Sequence, residues 1–225
     1  MTTRIDFSAK NGETVKGDLA LPETPAKAPA VVVLQEWWGV NNHIRSIATR
    51  LADAGFVALA PDLYDGEEVP LTNEPRASEK MDKLDWARAI VQIEAAIHHL
   101  KSHPRANGKV GIIGFCMGGA LSFAAATQLQ GLSAVVPFYG IPGKADYSKV
   151  TAPILTHVAK KDQWVTPALA EGVKRELESH GKSIEVHLYD ADHAFFNDTR
   201  ANKYSPDSAQ LAWERTIAFL HEHLG

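Results

Sequence analysis

Short runs of apolar and β-branched residues alternate along the chain with segments whose apolar positions recur every three or four residues. That alternation is the pattern of an α/β protein, a mostly parallel central sheet with helices on both faces. Ala30–Leu34, Val57–Ala60, Val110–Gly114, Ala134–Phe138, Ile154–Val158 and Ile184–Leu188 read as strands covered on both sides. Ahead of them, Arg4–Phe7 and Val15–Leu21 flank Lys10-Asn11-Gly12 and predict an N-terminal antiparallel hairpin at one sheet edge. Ile44, Ile47, Leu51 and Ala54 predict a helix that begins after Asn41 or Asn42 and stops at Gly55. Trp86, Ile90, Ile93, Ile97 and Leu100 predict a second, with Asp85, Arg88 and Gln92 on its polar face. Thr166-Pro167 opens a third, and Trp213, Ile217 and Leu220 mark the last. Residues 62–82 are polar, carry no clear period and contain Pro70 and Pro75, so they read as an excursion from the core and a candidate lid. Without a repeat or a break in composition, residues 1–225 read as one domain.

Composition narrows the function. With 45% apolar and 22% charged residues, the chain has the balance of a globular domain and not of a disordered or fibrous one. Its 23 basic and 27 acidic side chains give a net charge of −4 without a basic run, so nucleic acid is not an expected partner. The single cysteine rules out an internal disulfide, and the first twenty residues hold no signal-like apolar stretch. No run of about 18 apolar residues predicts a membrane span. The expectation is a cytoplasmic protein acting on a small molecule, as a monomer or homodimer. Neither H-E-x-x-H nor C-x-x-C spacing occurs, so no metal or other cofactor is expected.

The segment Lys109–Ala120, KVGIIGFCMGGA, carries the most chemistry. A buried-strand pattern runs into Gly114-Phe115-Cys116-Met117-Gly118-Gly119 and then an alanine-rich helix, matching G-x-S-x-G with cysteine for serine. In such an elbow the nucleophile sits on a strained strand-to-helix turn, and side chains two residues before and after it would strike neighbouring backbone. The thiol is then exposed at the carboxyl end of the sheet and at a helix N-terminus, where the partial positive charge favours a thiolate or an oxyanion. The alternative, a small buried hydrophobe, describes most lone cysteines.

An elbow of this kind calls for an acid after a later strand and a histidine after the last. Asp162 follows the Ile154–Val158 strand, 46 residues beyond Cys116, and His193 follows the Ile184–Leu188 strand, 31 residues further. A thiol near its free pKa is mostly protonated at neutral pH, so it needs a base, and the base needs an acid to orient it. His193 and Asp162 fit those roles; Asp190 and Asp192, on the histidine's own loop, are rival orienters. His98, His99 and His103 read as solvated helix face or helix end, and His221 and His223 belong to the chain end.

With these motifs in view, the whole chain resembles the dienelactone hydrolase family, carboxymethylenebutenolidase-like enzymes of the α/β-hydrolase fold. The resemblance rests on Gln35-Glu36-Trp37-Trp38-Gly39-Val40-Asn41, Ala60-Pro61-Asp62-Leu63-Tyr64, Gly108-Lys109-Val110-Gly111 leading into GFCMGG, Phe138-Tyr139-Gly140, and the aspartate and histidine loops. It implies a Cys116-His193-Asp162 hydrolase with an oxyanion hole formed by the backbone N–H groups of Trp37 and Met117. It also implies an auxiliary role for Glu36, whose movement on substrate binding would convert a neutral thiol into thiolate. A carboxyl group at the end of a buried VVVL strand is costly without a partner, which independently singles out Glu36.

Trp37, Trp38 and Tyr139 read as pocket wall, with core packing the alternative for the tryptophans. Substrate recognition departs from the family pattern. The arginine that holds the substrate carboxylate four residues after the histidine is Asn197 here, Arg76 aligns only loosely with the second such arginine, and Arg200 is a nearby substitute. Loss of a bidentate clamp weakens selection for anionic lactones. The expectation is therefore an ester or lactone hydrolase. A broad carboxylesterase or thioesterase, or a non-catalytic ligand-binding scaffold, are the alternatives, with a redox-sensing Cys116 a further one.

Overall fold

The computed structural model describes residues 1–225. Strands β1 (Thr3–Ser8), β2 (Thr14–Ala20), β3 (Ala28–Leu34), β4 (Val57–Pro61), β5 (Ala106–Phe115), β6 (Ala134–Phe138), β7 (Ile154–Ala159) and β8 (Ile184–Tyr189) form one eight-stranded sheet. Their order is β1-β2-β4-β3-β5-β6-β7-β8, antiparallel through β1, β2 and β4 and parallel from β4 to β8. The predicted hairpin is therefore the β1–β2 edge. The helices are α1 (Asn42–Asp53), α2 (Glu74–Asp82), α3 (Trp86–Ser102), α4 (Met117–Gln128), α5 (Pro167–Ser179) and α6 (Pro206–Leu224).

The uniformly apolar strands are explained by the two faces they serve. In β3, Val32 and Leu34 join the core packed by α3, α4 and α5, while Val31 and Val33 join the core packed by α1 and α6. Residues 31–34 are fully buried, and each such side chain stabilises the fold by about 1.5–3 kcal/mol relative to an exposed one. No helix is long and apolar enough to cross a membrane.

Two local expectations are corrected. Residues 62–82 include helix α2, which the hydrophobic period does not reveal because Ala77 is its one buried residue. What starts the helix is Asn73, whose side chain accepts from the Arg76 N–H, with proline in the first turn. The excursion is also tied down, since the Val69 N–H donates to the Trp38 carbonyl at 2.9 Å and Asp62, Leu63 and Tyr64 are buried. On α3, Gln92 is buried, not solvated, and donates to Glu13 at 3.0 Å, while Trp86 is 39% exposed.

Candidate active site

The parallel strands β3, β5, β6, β7 and β8 deliver five loops to one end of the sheet. β5 ends at Phe115, and Cys116 takes φ 55° and ψ −114° before α4 begins at Met117. A side chain at Gly114 would place Cβ 2.0 Å from the Gly118 carbonyl oxygen, and one at Gly118 would place it 2.6 Å from the carbonyl oxygens of Leu34 and Gln35. Those approaches hold the turn shut, so the predicted spacing has its steric cause. Tyr139 (φ 36°) and Ala194 (φ 64°) share the positive-φ strain of Cys116, and each sits on a different loop of this site. Cys116 is half-buried, and the Met117 amide lies in the first turn of α4, where N–H groups lack intrahelical acceptors. Met117 is steadied by the Tyr64 hydroxyl, 3.4 Å from its sulfur.

Asp162 and His193 meet as the chain order predicts. Asp162 Oδ1 accepts from the Trp164 and Val165 N–H groups at 2.8 and 3.0 Å, leaving Oδ2 for His193 Nδ1 at 2.6 Å. Asp190 pairs with Lys161 and Asp192 lies 4.0 Å from Lys203, so neither rival orients the imidazole. With Nδ1 engaged, Nε2 is the nitrogen left for Cys116; it is buried and has no hydrogen-bond partner. Burial works to lower the His193 pKa, but the Asp162 bond and the Cys116 thiol outweigh it and raise it to about 10. Burial tends to raise the Asp162 carboxyl, and the His193 bond holds it below its ordinary value. The rings of Trp164 and Tyr139 stand edge-on to the imidazole, with centroids at 4.8 and 5.0 Å.

Glu36 is buried beside Tyr139 and Asn197. Its Oε1 accepts from the Tyr139 hydroxyl at 3.3 Å and its Oε2 from the Asn197 amide at 2.5 Å. Burial, followed by the proximity of Glu36 and Cys116, pushes the Tyr139 phenol well above its usual range and keeps it a donor.

Two cavities of about 280 Å³ each adjoin the imidazole and share Trp37, Trp164 and His193. The first is apolar and contains Cys116, Met117 and Tyr139, with Met81, Trp86, Ile141 and Val165 among its other walls. The second is polar and contains Lys161, Arg200, Lys203, Glu74 and Asp192.

Several residues fall elsewhere than the pocket-wall expectation put them. Trp38 is buried behind Trp37 against Val69 and Ala77, and lines neither cavity. Asn197 is fully buried and turned to Glu36. Arg76 binds Glu67 and Glu79 within the excursion. Arg200 does face the polar cavity, bonded to Glu74 at 2.9 Å with its guanidinium 5.4 Å from the Trp38 ring. Sequence reasoning missed Trp164, 66% exposed between the two cavities; its place two residues after Asp162 was the available signal. No group of three or more His, Cys, Asp and Glu side chains comes together as a metal site.

Comparison with known proteins agrees with this architecture. Residues 15–224 match the dienelactone hydrolase family. A carboxymethylenebutenolidase from Pseudomonas putida is 33% identical over 232 residues, covering 98% of this chain and 96% of its own. A Bradyrhizobium protein named "Probable 2-oxo-3-(5-oxofuran-2-ylidene)propanoate lactonase" is 36% identical over 230 residues, covering 95% of this chain and 92% of its own. Among solved structures, a dienelactone hydrolase-like promiscuous phosphotriesterase from metagenomic libraries superposes with a TM-score of 0.88 at 25% identity, covering 100% of this chain and 99% of that one.

Proposed function

The chain belongs to the dienelactone hydrolase family, and from that premise we propose that it is a cysteine-dependent acyl hydrolase that opens a carboxylic ester or lactone. The reading is carried by one observation: His193 is bonded through Nδ1 to Asp162 at 2.6 Å, which leaves Nε2 for Cys116 at the wall of an apolar cavity.

In this scheme His193, whose protonated form is favoured by Asp162 and Cys116, holds the proton of the pair, and the Cys116 thiolate sulfur attacks the carbonyl carbon. The carbonyl π electrons move to oxygen, which the Trp37 and Met117 amides stabilise; one such donor is worth about 3–4 kcal/mol of barrier. The carbon–oxygen ester bond then breaks, and His193 returns its proton to the leaving oxygen. Water deprotonated by His193 attacks the thioester, and the acid departs as the thiol is restored. Asp162 holds the imidazole in the tautomer that both transfers need. Glu36, held by Tyr139 and Asn197, is the auxiliary carboxyl group of the scheme. The name of the Bradyrhizobium relative specifies a lactone that carries a propanoate group.

Cys116→Ala tests the scheme. Turnover of p-nitrophenyl acetate should fall by about a thousandfold or more while circular dichroism stays unchanged. Retained turnover refutes the nucleophile.

A second reading, a broad carboxylesterase for neutral substrates, draws support from the engagement of Asn197 with Glu36 and of Arg76 with Glu67 and Glu79, which leaves neither to clamp an anion. Comparing kcat/KM for a carboxylate-bearing dienelactone with that for short neutral esters separates the two readings.

A further inference from the structure

Strand β8 is the far edge of the sheet and pairs with β7 alone. The Ile154 N–H donates to the Ser183 carbonyl and the Lys160 N–H to the Tyr189 carbonyl. Odd-numbered residues of β8 therefore turn their backbone groups toward β7, and Ile184, Val186 and Leu188 turn theirs outward. An open row of donors and acceptors is a template for another strand. Edges meant to stay single are blunted by proline, bulges or charged side chains; β8 has neither proline nor bulge, its one charged side chain, Glu185, is matched by His187, and Leu188 is 45% exposed on it.

The segment Lys182-Ser-Ile-Glu-Val-His-Leu-Tyr-Asp190 is complementary to itself when reversed about Val186. An antiparallel pairing centred there sets Val186 against Val186, Ile184 against Leu188, Glu185 against His187 and Lys182 against Asp190. The register also suits the backbone. Val186, Ile184 and Leu188 are the residues whose N–H and C=O groups face out, so the opposed pairs are those that exchange both hydrogen bonds. Glu185 and His187 then fall at the closer, non-hydrogen-bonded positions, where opposed side chains interact most strongly. Within one chain these two lie 3.3 Å apart on the same face, so a second copy would extend an existing pair into a four-membered ladder.

We infer that β8 is a homodimer interface, at which two copies join edge to edge about a two-fold axis at Val186 to make one continuous sixteen-stranded sheet from two eight-stranded ones. The partner is a second copy of this chain because the recognition pattern is its own reverse complement. None of the residues involved lies at the candidate active site, so this interface stands or falls separately from the proposed hydrolysis.

Sedimentation velocity up to the hundred-micromolar range tests it. The wild-type chain should sediment as a dimer. His187→Glu opposes two carboxylates twice per dimer and should weaken association about tenfold or more, while Glu185→Lys removes the carboxylate that pairs with the imidazole and should weaken it to a smaller but measurable extent. The double variant Glu185→Lys/His187→Glu rebuilds an opposite-charge pair and should restore the dimer. Circular dichroism and the urea midpoint of each variant report that the fold is intact. A monomer at all concentrations, or a dimer indifferent to the single substitutions, overturns the inference. So does a double variant no tighter than the singles.

Discussion

Asn197→Leu is the substitution whose outcome follows most directly from the geometry. The side chain is fully buried, close in size to leucine, and supplies the nearer of two donors to Glu36, at 2.5 Å against 3.3 Å for Tyr139. Both donors are neutral, so the carboxyl group has little else to offset its burial. A hydrogen bond to a charged acceptor contributes about 1.5–3 kcal/mol, and leaving a buried acceptor unpaired costs on the order of 1–3 kcal/mol. With Tyr139 retaining its contact, the expected loss is about 2–4 kcal/mol, or a Tm lower by roughly 5–15 °C for a chain of this size. Glu36→Gln is the control, because a neutral amide at position 36 loses much less when Asn197 is removed. Urea denaturation of the wild type, both single variants and the double variant should give a coupling energy of about 1 kcal/mol or more. If Asn197→Leu costs the same in both backgrounds, Asn197 serves its own Thr199 turn (2.6 Å to Oγ1) and the assignment to Glu36 is wrong.

Other expectations concern the core, the imidazole and the elbow. His157 is fully buried between Tyr189 (2.8 Å) and Thr216 (2.9 Å), and burial, then His187 and Arg215, hold its pKa well below 6.5. The unfolded chain therefore binds the extra proton first. The stability this neutral ring contributes is complete above pH 6.5 and drains by about 1.4 kcal/mol per pH unit below it. His157→Gln should flatten that acid limb in urea titrations, and an unaltered limb rejects the cause. In Cys116→Ala, loss of the thiol should bring the His193 titration down from about 10, as followed by NMR of the ring carbon protons; an unchanged value means that Asp162 alone sets it. Gly118→Ala forces a Cβ to within 2.6 Å of two backbone carbonyls and should cost about 1–3 kcal/mol in the same denaturation assay, with a change under about 0.5 kcal/mol counting against the steric account of the elbow.

Much of this was legible because it is local. The G-F-C-M-G turn, the acid after one strand and the histidine after another each follow from how a parallel sheet delivers its loops, and apolar runs marked the strands themselves. What the chain order hides is contact across distance. Asn197 stands 161 residues from Glu36, and no periodicity links an amide near the end to a carboxyl group near the start. Trp37 and Trp38 are neighbours with the same chemistry, and only the path of the chain puts the first at the cavity and the second behind it. Gln92 reads as solvent-facing until Glu13 arrives from the hairpin to bond it, and α2 is set by its cap and not by a stripe.

The paired cavities have a practical consequence. Their walls meet at Trp37, Trp164 and His193, and both also draw on helix α2 (Glu74 for the polar one, Met81 for the apolar one) and on the Asp162 loop (Lys161 and Gln163 against Val165), but residues 139–143 line the apolar one alone and Arg200 and Lys203 the polar one alone. A designer or a lineage can therefore alter the taste of the ionic compartment at Arg200 and Lys203, or of the greasy one at residues 141–143, without retuning its neighbour, as long as the shared aromatic partition, helix α2 and the Asp162 loop are left alone.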